Sequence, residues 1–159
     1  MENENISRKL LWLISLDIDN EKEIIRKMDT YPNLRELVNI VSTGNDNPYN
    51  ESMLMWAVWR LKPLVVAELI KADANVRYET DSMESVATYW NHTAISKNTD
   101  NMKKACNIAG MLHEAGVDFR YGSLESWSLI KRANYYNLVE LQETLRSLDY
   151  IVSKKTIHS

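Results

Sequence analysis

Apolar residues recur along this chain three and four positions apart, and short polar stretches interrupt them. Ile6, Leu10, Leu13 and Ile14 predict a helix over 5–16. Leu11 and Trp12 widen its apolar face to two packing sides, with Trp12 assigned to the core. Ile24, Ile25 and Met28 share one face of a second helix over about 20–29. Pro32 suits the first turn of a third helix, which carries Leu34, Leu37, Val38 and Val41 and stops at Gly44. The run 45–50 is a polar loop of turn-forming residues.

The stretch from Ser52 to Val76 predicts a helical hairpin. Its first helix spans about 52–60, Leu61 and Lys62 form the break, and Pro63 opens the second helix. Leu54, Ala57 and Val58 fall on one face of the first helix, and Met53, Trp56 and Arg60 on another. Val65, Val66, Leu69 and Ile70 are the core candidates of the second, and the chain leaves through Asp73-Ala-Asn-Val76. Arg77 to Ser82 reads as a loop. A helix over 83–95 offers Val86, Tyr89 and Trp90 to the interior, and Lys97 to Asn101 breaks it. Met102, Ala105, Cys106, Ala109 and Leu112 line a helix over 101–115 that Gly116 stops. Helices over 125–135 and 138–148 follow, then a frayed tail over 150–159.

Composition narrows the class. With 159 residues, 45% hydrophobic and 26% charged, the chain suits one soluble globular domain. Four Gly and three Pro leave long runs without a breaker, favouring an all-α fold. A net charge of −3, with Lys and Arg scattered, argues against a nucleic-acid partner. Cys106 is the single cysteine, so no intrachain disulfide forms, which fits a reducing compartment. The acidic opening Met-Glu-Asn-Glu-Asn is unlike a secretory leader, and the apolar run 10–14 is far shorter than the ~20 residues a membrane span needs. The expected setting is cytoplasmic, without membrane association. The wealth of Asn, Lys, Ile and Tyr hints at a low-GC genome, bacterial, phage or viral; in the last two cases the setting is the host cytoplasm.

Catalytic and metal chemistry find little support. Asp17, Asp19 and Glu21 match the opening of a calcium loop, but Lys22 stands where its Gly belongs and Met28 where its closing Glu belongs. Helix capping is the simpler reading, with Asp19 or Asn20 as N-cap and Glu21 and Glu23 favouring the positive end of the helix dipole. His92, His113 and His158 have no second ligand at metal spacing, and Cys106 sits on an apolar stripe as a small core residue. No phosphate loop, nucleophile elbow or zinc-protease motif occurs. The expectation is a non-enzyme without cofactor or metal.

The helix exits repeat. Lys71-Ala-Asp-Ala-Asn-Val76 aligns with Glu114-Ala-Gly-Val-Asp-Phe119, so Asp73 corresponds to Gly116, 43 positions later. Asp149 ends the last helix 33 positions after Gly116, and 33 is a known helical-repeat period. The longer step implies about ten residues inserted at Ser96–Met102. On Ser52, Leu54, Ala57, Val65, Val66, Leu69, Ile70, Ala74, Asn75 and Val76 the chain resembles an ankyrin-repeat protein. Ser128, Ile130, Ala133, Leu141 and Leu145 match in a last unit, with Asn137 in place of the inter-helix Gly. Ile108, Leu112, Gly116, Asp118 and Phe119 match in a middle unit whose first helix does not. Ser52-Met-Leu-Met stands where the family has Thr-Pro-Leu-His, and Asp73 where it has the helix-stop Gly.

The resemblance implies stacked helical hairpins, an ankyrin-like solenoid of about three repeats over 50–150, with 5–44 as an N-terminal helical cap of a single domain, 1–159. It also implies a concave protein-binding face on the first helices and their preceding loops. By that register Met53, Trp56 and Arg60 point to a partner, with Leu129, Arg132 and Tyr136 equivalent in the last unit and Trp59 and Trp127 alongside. Trp, Tyr and Arg are the residue types enriched at interface hot spots. Trp90 is assigned to the core, and Trp59 is open between core and surface. The expected function is a non-catalytic adaptor or inhibitor that binds a protein. The alternatives are a self-associating structural protein, acting as a homodimer, and a small-ligand binder or enzyme with a pocket near Trp90.

Overall fold

A computed structural model of the chain describes residues 2–93 and 99–117, together with 139, 143, 144 and 146. Among the described residues there are seven helices and no strand: α1 (Glu2–Ser15), α2 (Glu21–Met28), α3 (Leu34–Leu37), α4 (Met53–Trp59), α5 (Pro63–Lys71), α6 (Val86–Thr93) and α7 (Thr99–Glu114). The fold is all-α over this part. The four isolated positions are helical too, within the expected 138–148 helix. The expected helix over 125–135 and the tail over 150–159 lie outside the described residues. No described helix is long and apolar enough to cross a membrane.

The helices pack in pairs. α1 lies against α2, α4 against α5, and α6 against α7. Each pair also meets the next in order: α1 packs on α4 and α2 on α5, then α4 on α6 and α5 on α7. One hydrophobic cluster runs through all three pairs, from Leu10 and Ile14 through Met55, Val66 and Leu69 to Trp90, Ile108 and Leu112. α4 sits at the centre, with α1, α5 and α6 all against it.

The helix ends show why these segments start and stop where they do. The Ser52 hydroxyl accepts a hydrogen bond from the Met55 amide (3.2 Å) and caps α4. Pro63 opens α5 as expected. Three helix exits share one arrangement, each turning on a residue with positive φ: Leu61 (+53°), Asp73 (+63°) and Gly116 (+98°). In each, the next amide reaches back across the turn: Lys62 to the Ala57 carbonyl, Ala74 to Leu69 and Val117 to Leu112. The correspondence of Asp73 with Gly116 therefore holds bond for bond. Asp73 adopts the glycine-like conformation, and its carboxylate pairs with Arg35 at 2.5 Å on the surface.

A second register joins the first helices. Ser85 lies 33 positions after Ser52 and does the same work: its hydroxyl accepts from the Thr88 amide at 3.3 Å. Burial then runs in parallel. Met53, Leu54, Met55 and Ala57 are buried, as are Val86, Ala87, Thr88 and Trp90; Trp56 and Tyr89 are half-buried; Trp59 and His92 are exposed. The first helices stand 33 apart and the exits 43 apart; α7, with 16 residues against nine in α5, takes up most of the extra ten, whereas the sequence expectation put them between the two helices at 96–102. As expected from sequence, α6 does not follow the residue types of the pattern; it parallels α4 in capping and burial alone.

Three further expectations are corrected. Trp12 is 60% exposed. At about 100° per residue, Leu10, Leu11, Leu13, Ile14 and the buried Ser7 occupy one arc of α1, and Trp12 falls opposite it. The third helix ends at Leu37, seven residues before Gly44. Beyond it the Asn39 amide side chain donates to the Asp73 carbonyl (3.0 Å) and accepts from the Asn75 amide (2.7 Å), holding the chain in an irregular path. The Ser7 hydroxyl meets the Leu37 and Ile40 carbonyls, both at 3.3 Å. Finally, Asn20 heads α2 without a side-chain cap bond, because its side chain is engaged with Leu13 and Lys62.

Candidate functional site

The surface around α4 follows from how little of that helix is left uncovered. Three helices pack on its seven residues, so Met53 is 1% exposed and lies in the core. The expectation that its side chain faces a partner is corrected. Trp56 is half-buried, and its indole N–H donates to the Asn47 side-chain oxygen at 3.4 Å. Arg60, also half-buried, lays its guanidinium over the Trp56 ring, 5.6 Å from the centroid, and donates through Nε to the Ser15 carbonyl at 2.6 Å. It thereby satisfies a carbonyl at the C-terminus of α1. Trp59 is the α4 residue that stands out, 41% exposed. Trp127, Leu129, Arg132 and Tyr136 lie outside the described residues.

Trp59 meets α6 edge-on. Its ring lies 5.8 Å from Tyr89, at 64°, and 6.3 Å from His92, at 69°. Together Trp59 and His92 form a wall with a hollow on either side. On one side is an open groove of about 550 Å³ with Trp56, Trp59 and Tyr89 as its aromatic lining and Glu51 and Glu84 among its polar groups. Tyr49, Asp46 and Thr80 extend it. Glu51 and Glu84 are themselves 33 positions apart, each directly before a capping serine. Successive helix pairs thus present equivalent side chains to one groove: Glu51 with Glu84, Trp56 with Tyr89, Trp59 with His92.

The Tyr89 hydroxyl donates a short hydrogen bond to the Glu51 carboxylate. Burial raises the pKa of this phenol far above its ordinary value, and the bond to Glu51 and the nearby Glu84 charge add to the rise. It remains a neutral donor at physiological pH. Asn47 fixes the approach to α4: its amide donates to the Ser42 and Glu51 carbonyls, both at 2.8 Å, and its oxygen accepts from the Glu51 amide at 3.1 Å. Glu51 is only 7% exposed. One oxygen of Glu84, Oε2, is shut off from solvent and accepts no hydrogen bond from the described residues.

The hollow on the other side, about 470 Å³, carries both signs of charge, with Asp17, Asp19 and Glu21 near Arg60, Lys62 and Lys104. Lys62 is 3% exposed. Its ammonium donates to the Leu16 carbonyl (2.7 Å), the Asn20 side-chain oxygen (2.7 Å) and, longer, the Leu13 carbonyl (3.4 Å). Desolvation lowers its pKa, opposed chiefly by the charge of Glu21. Glu21 in turn accepts from the Leu64 (2.7 Å) and Val65 (3.1 Å) amides, capping α5 from a different helix. Glu21 thus caps α5 while standing, with Glu23, in the first turn of α2 as the sequence predicts.

Trp90 is wholly buried as expected, its indole N–H on the Ala105 carbonyl at 2.7 Å. It does not line the groove. Cys106 is half-buried against the core. No three His, Cys, Asp or Glu side chains gather to hold a metal among the described residues. Sequence reasoning missed Glu51, Glu84 and the Tyr89 hydroxyl as groove residues. The available signal was the 33-residue step between the two Glu-Ser pairs. No family model, curated protein or solved structure matches this chain.

Proposed function

We propose that this protein is a non-catalytic module that binds another protein, as an adaptor or inhibitor acting in the cytoplasm, through the face carrying Trp59 and the groove beside it. The observation that carries the reading is Trp59, a large aromatic side chain held 41% exposed by edge contacts to Tyr89 and His92 beside an open groove. A fixed, exposed tryptophan beside a concavity has the character of an interface anchor. The ankyrin-like solenoid expected from sequence belongs to this proposal. The in-order packing of helix pairs, the paired exits at Asp73 and Gly116 and the 33-residue register of α4 and α6 support it. The groove lies on first helices and the residues before them, where the resemblance expects partners.

The test is affinity capture from the cell that encodes the protein, comparing the wild type with Trp59→Ser and with Trp12→Ser, which alters an exposed tryptophan that lines neither hollow. The expected result is a protein retained by the wild type and Trp12→Ser at equal loading and lost by Trp59→Ser. Retention indifferent to Trp59 would overturn the assignment of the face. A small-ligand reading has one observation in its favour: about 550 Å³ falls within the range of small-molecule sites, roughly 300–1,000 Å³. A metabolite that raises Tm in the wild type and not in Trp59→Ser, with no protein retained, would favour it. Self-association predicts a concentration-dependent mass in sedimentation equilibrium, which the monomeric adaptor reading does not.

A further inference from the structure

We propose that the groove between α4 and α6 receives a cationic side chain, Lys or Arg, from a basic segment of the partner protein. This rests on the protein-binding reading and adds the chemistry of the partner.

The groove is acidic. Asp46, Glu51 and Glu84 line the groove, and no Lys or Arg does so among the described residues. Glu51, only 7% exposed, is hydrogen-bonded through its carboxylate to a neutral phenol and has no ion pair among the described residues. Neither Glu51 nor Glu84 has a cationic partner among the described residues, so the negative charge lining the groove is unbalanced by the chain itself. The opposite hollow shows the contrast: there the Lys62 ammonium has three oxygen acceptors of its own.

The walls add the second half. Trp56, Trp59 and Tyr89 present aromatic surface, whose faces attract cations. The protein already uses this contact once, with the Arg60 guanidinium over the Trp56 ring. An aliphatic stem along the indoles with a charged head on the carboxylates suits Lys and Arg, which are apolar along their length and charged at the tip. A neutral apolar guest leaves the charge of the groove unbalanced, and an anion meets three carboxylates.

The test is a titration of the full, ¹⁵N-labelled chain, following the indole N–H resonances of Trp56 and Trp59. The probes are acetyl-Gly-Arg-Gly-amide, its Lys counterpart, its citrulline counterpart (the same shape without the charge) and choline. The expected result is a saturable shift of Trp59 with the Arg or Lys peptide and none with citrulline. Glu84→Gln weakens the binding about ten-fold, and added salt weakens it in the wild type. Equal shifts with citrulline, no shift with either basic peptide, or an unchanged affinity in Glu84→Gln would each overturn the proposal; the citrulline arm needs no variant. Choline bound as tightly as the peptides would assign the groove to a small organic cation and overturn the partner side chain. A partner lost by Trp59→Ser but kept by Glu84→Gln overturns this inference while the protein-binding reading stands.

Discussion

The two sides of the Trp59–His92 wall hold ionisable groups away from water in opposite ways. On one side the Lys62 ammonium meets two carbonyls and an asparagine oxygen at the end of α1. On the other, Glu51 meets a phenol, and Glu84 Oε2 has no donor among the described residues. A buried charge with complete partners ties elements together; carboxylates that line an open groove without a cation of their own leave a charge for a guest to balance. The comparison divides the neighbourhood of one tryptophan into a side that builds the molecule and a side that faces outward.

Lys62→Met breaks the building side and has the largest expected effect. Methionine fills the stem's volume but leaves the Leu13 and Leu16 carbonyls and the Asn20 oxygen without this donor. The expected loss is about 3 kcal/mol in urea denaturation. A loss below about 0.5 kcal/mol would place Lys62 among ornamental surface charges instead.

Tyr89→Phe sharpens the contrast through pH. An unfolded tyrosine releases its proton near 10.0, whereas the folded phenol retains it, so stability falls as pH rises above 10. Tyr78 shifts in the same direction, mainly through burial. Lys62 works oppositely: its folded pKa lies below 10.5, so its contribution to stability rises with pH through the interval ending there. Wild-type stability, followed by denaturant titration across pH 8 to 12, carries both slopes. Tyr89→Phe makes the fall above pH 10 shallower and costs about 1–2 kcal/mol at neutral pH, since the Glu51 carboxylate loses its donor. Lys62→Met removes the rise.

Glu21→Ala has a smaller expected effect. The Glu21 carboxylate caps α5 at the Leu64 and Val65 amides, and its loss should cost about 1 kcal/mol. Amide hydrogen exchange should quicken in the first turn of α5 while α7 is unchanged. Uniform quickening of both would contradict a local cap.

Much of the frame was legible in the sequence. Ser52, Pro63, Asp73 and Gly116 punctuate helices by local backbone chemistry, and they act as read. What escaped depends on neighbours. Met53 belongs to the core because α4 is covered by three helices, a fact no periodicity carries. Trp12 faces out because a narrower arc than expected suffices for α1. The likeness of α4 and α6 hid behind exchanged sizes: Ala57 corresponds to Trp90 and Leu54 to Ala87, so burial repeats while residue types do not. Glu51 and Glu84 lie just outside their helices, beyond any helical stripe, and became a pair only when α6 was packed against α4.

The central claim is that the groove's carboxylates serve a guest and Lys62 serves the fold. The most direct measurement takes one variant, Glu84→Gln, and reads both quantities on the same sample: unfolding free energy in urea and affinity for the arginine peptide. The account predicts stability within about 0.5 kcal/mol of the wild type, because Oε2 has no donor among the described residues, and affinity about ten-fold weaker. A variant that loses stability on the scale of Lys62→Met and keeps its affinity would contradict it.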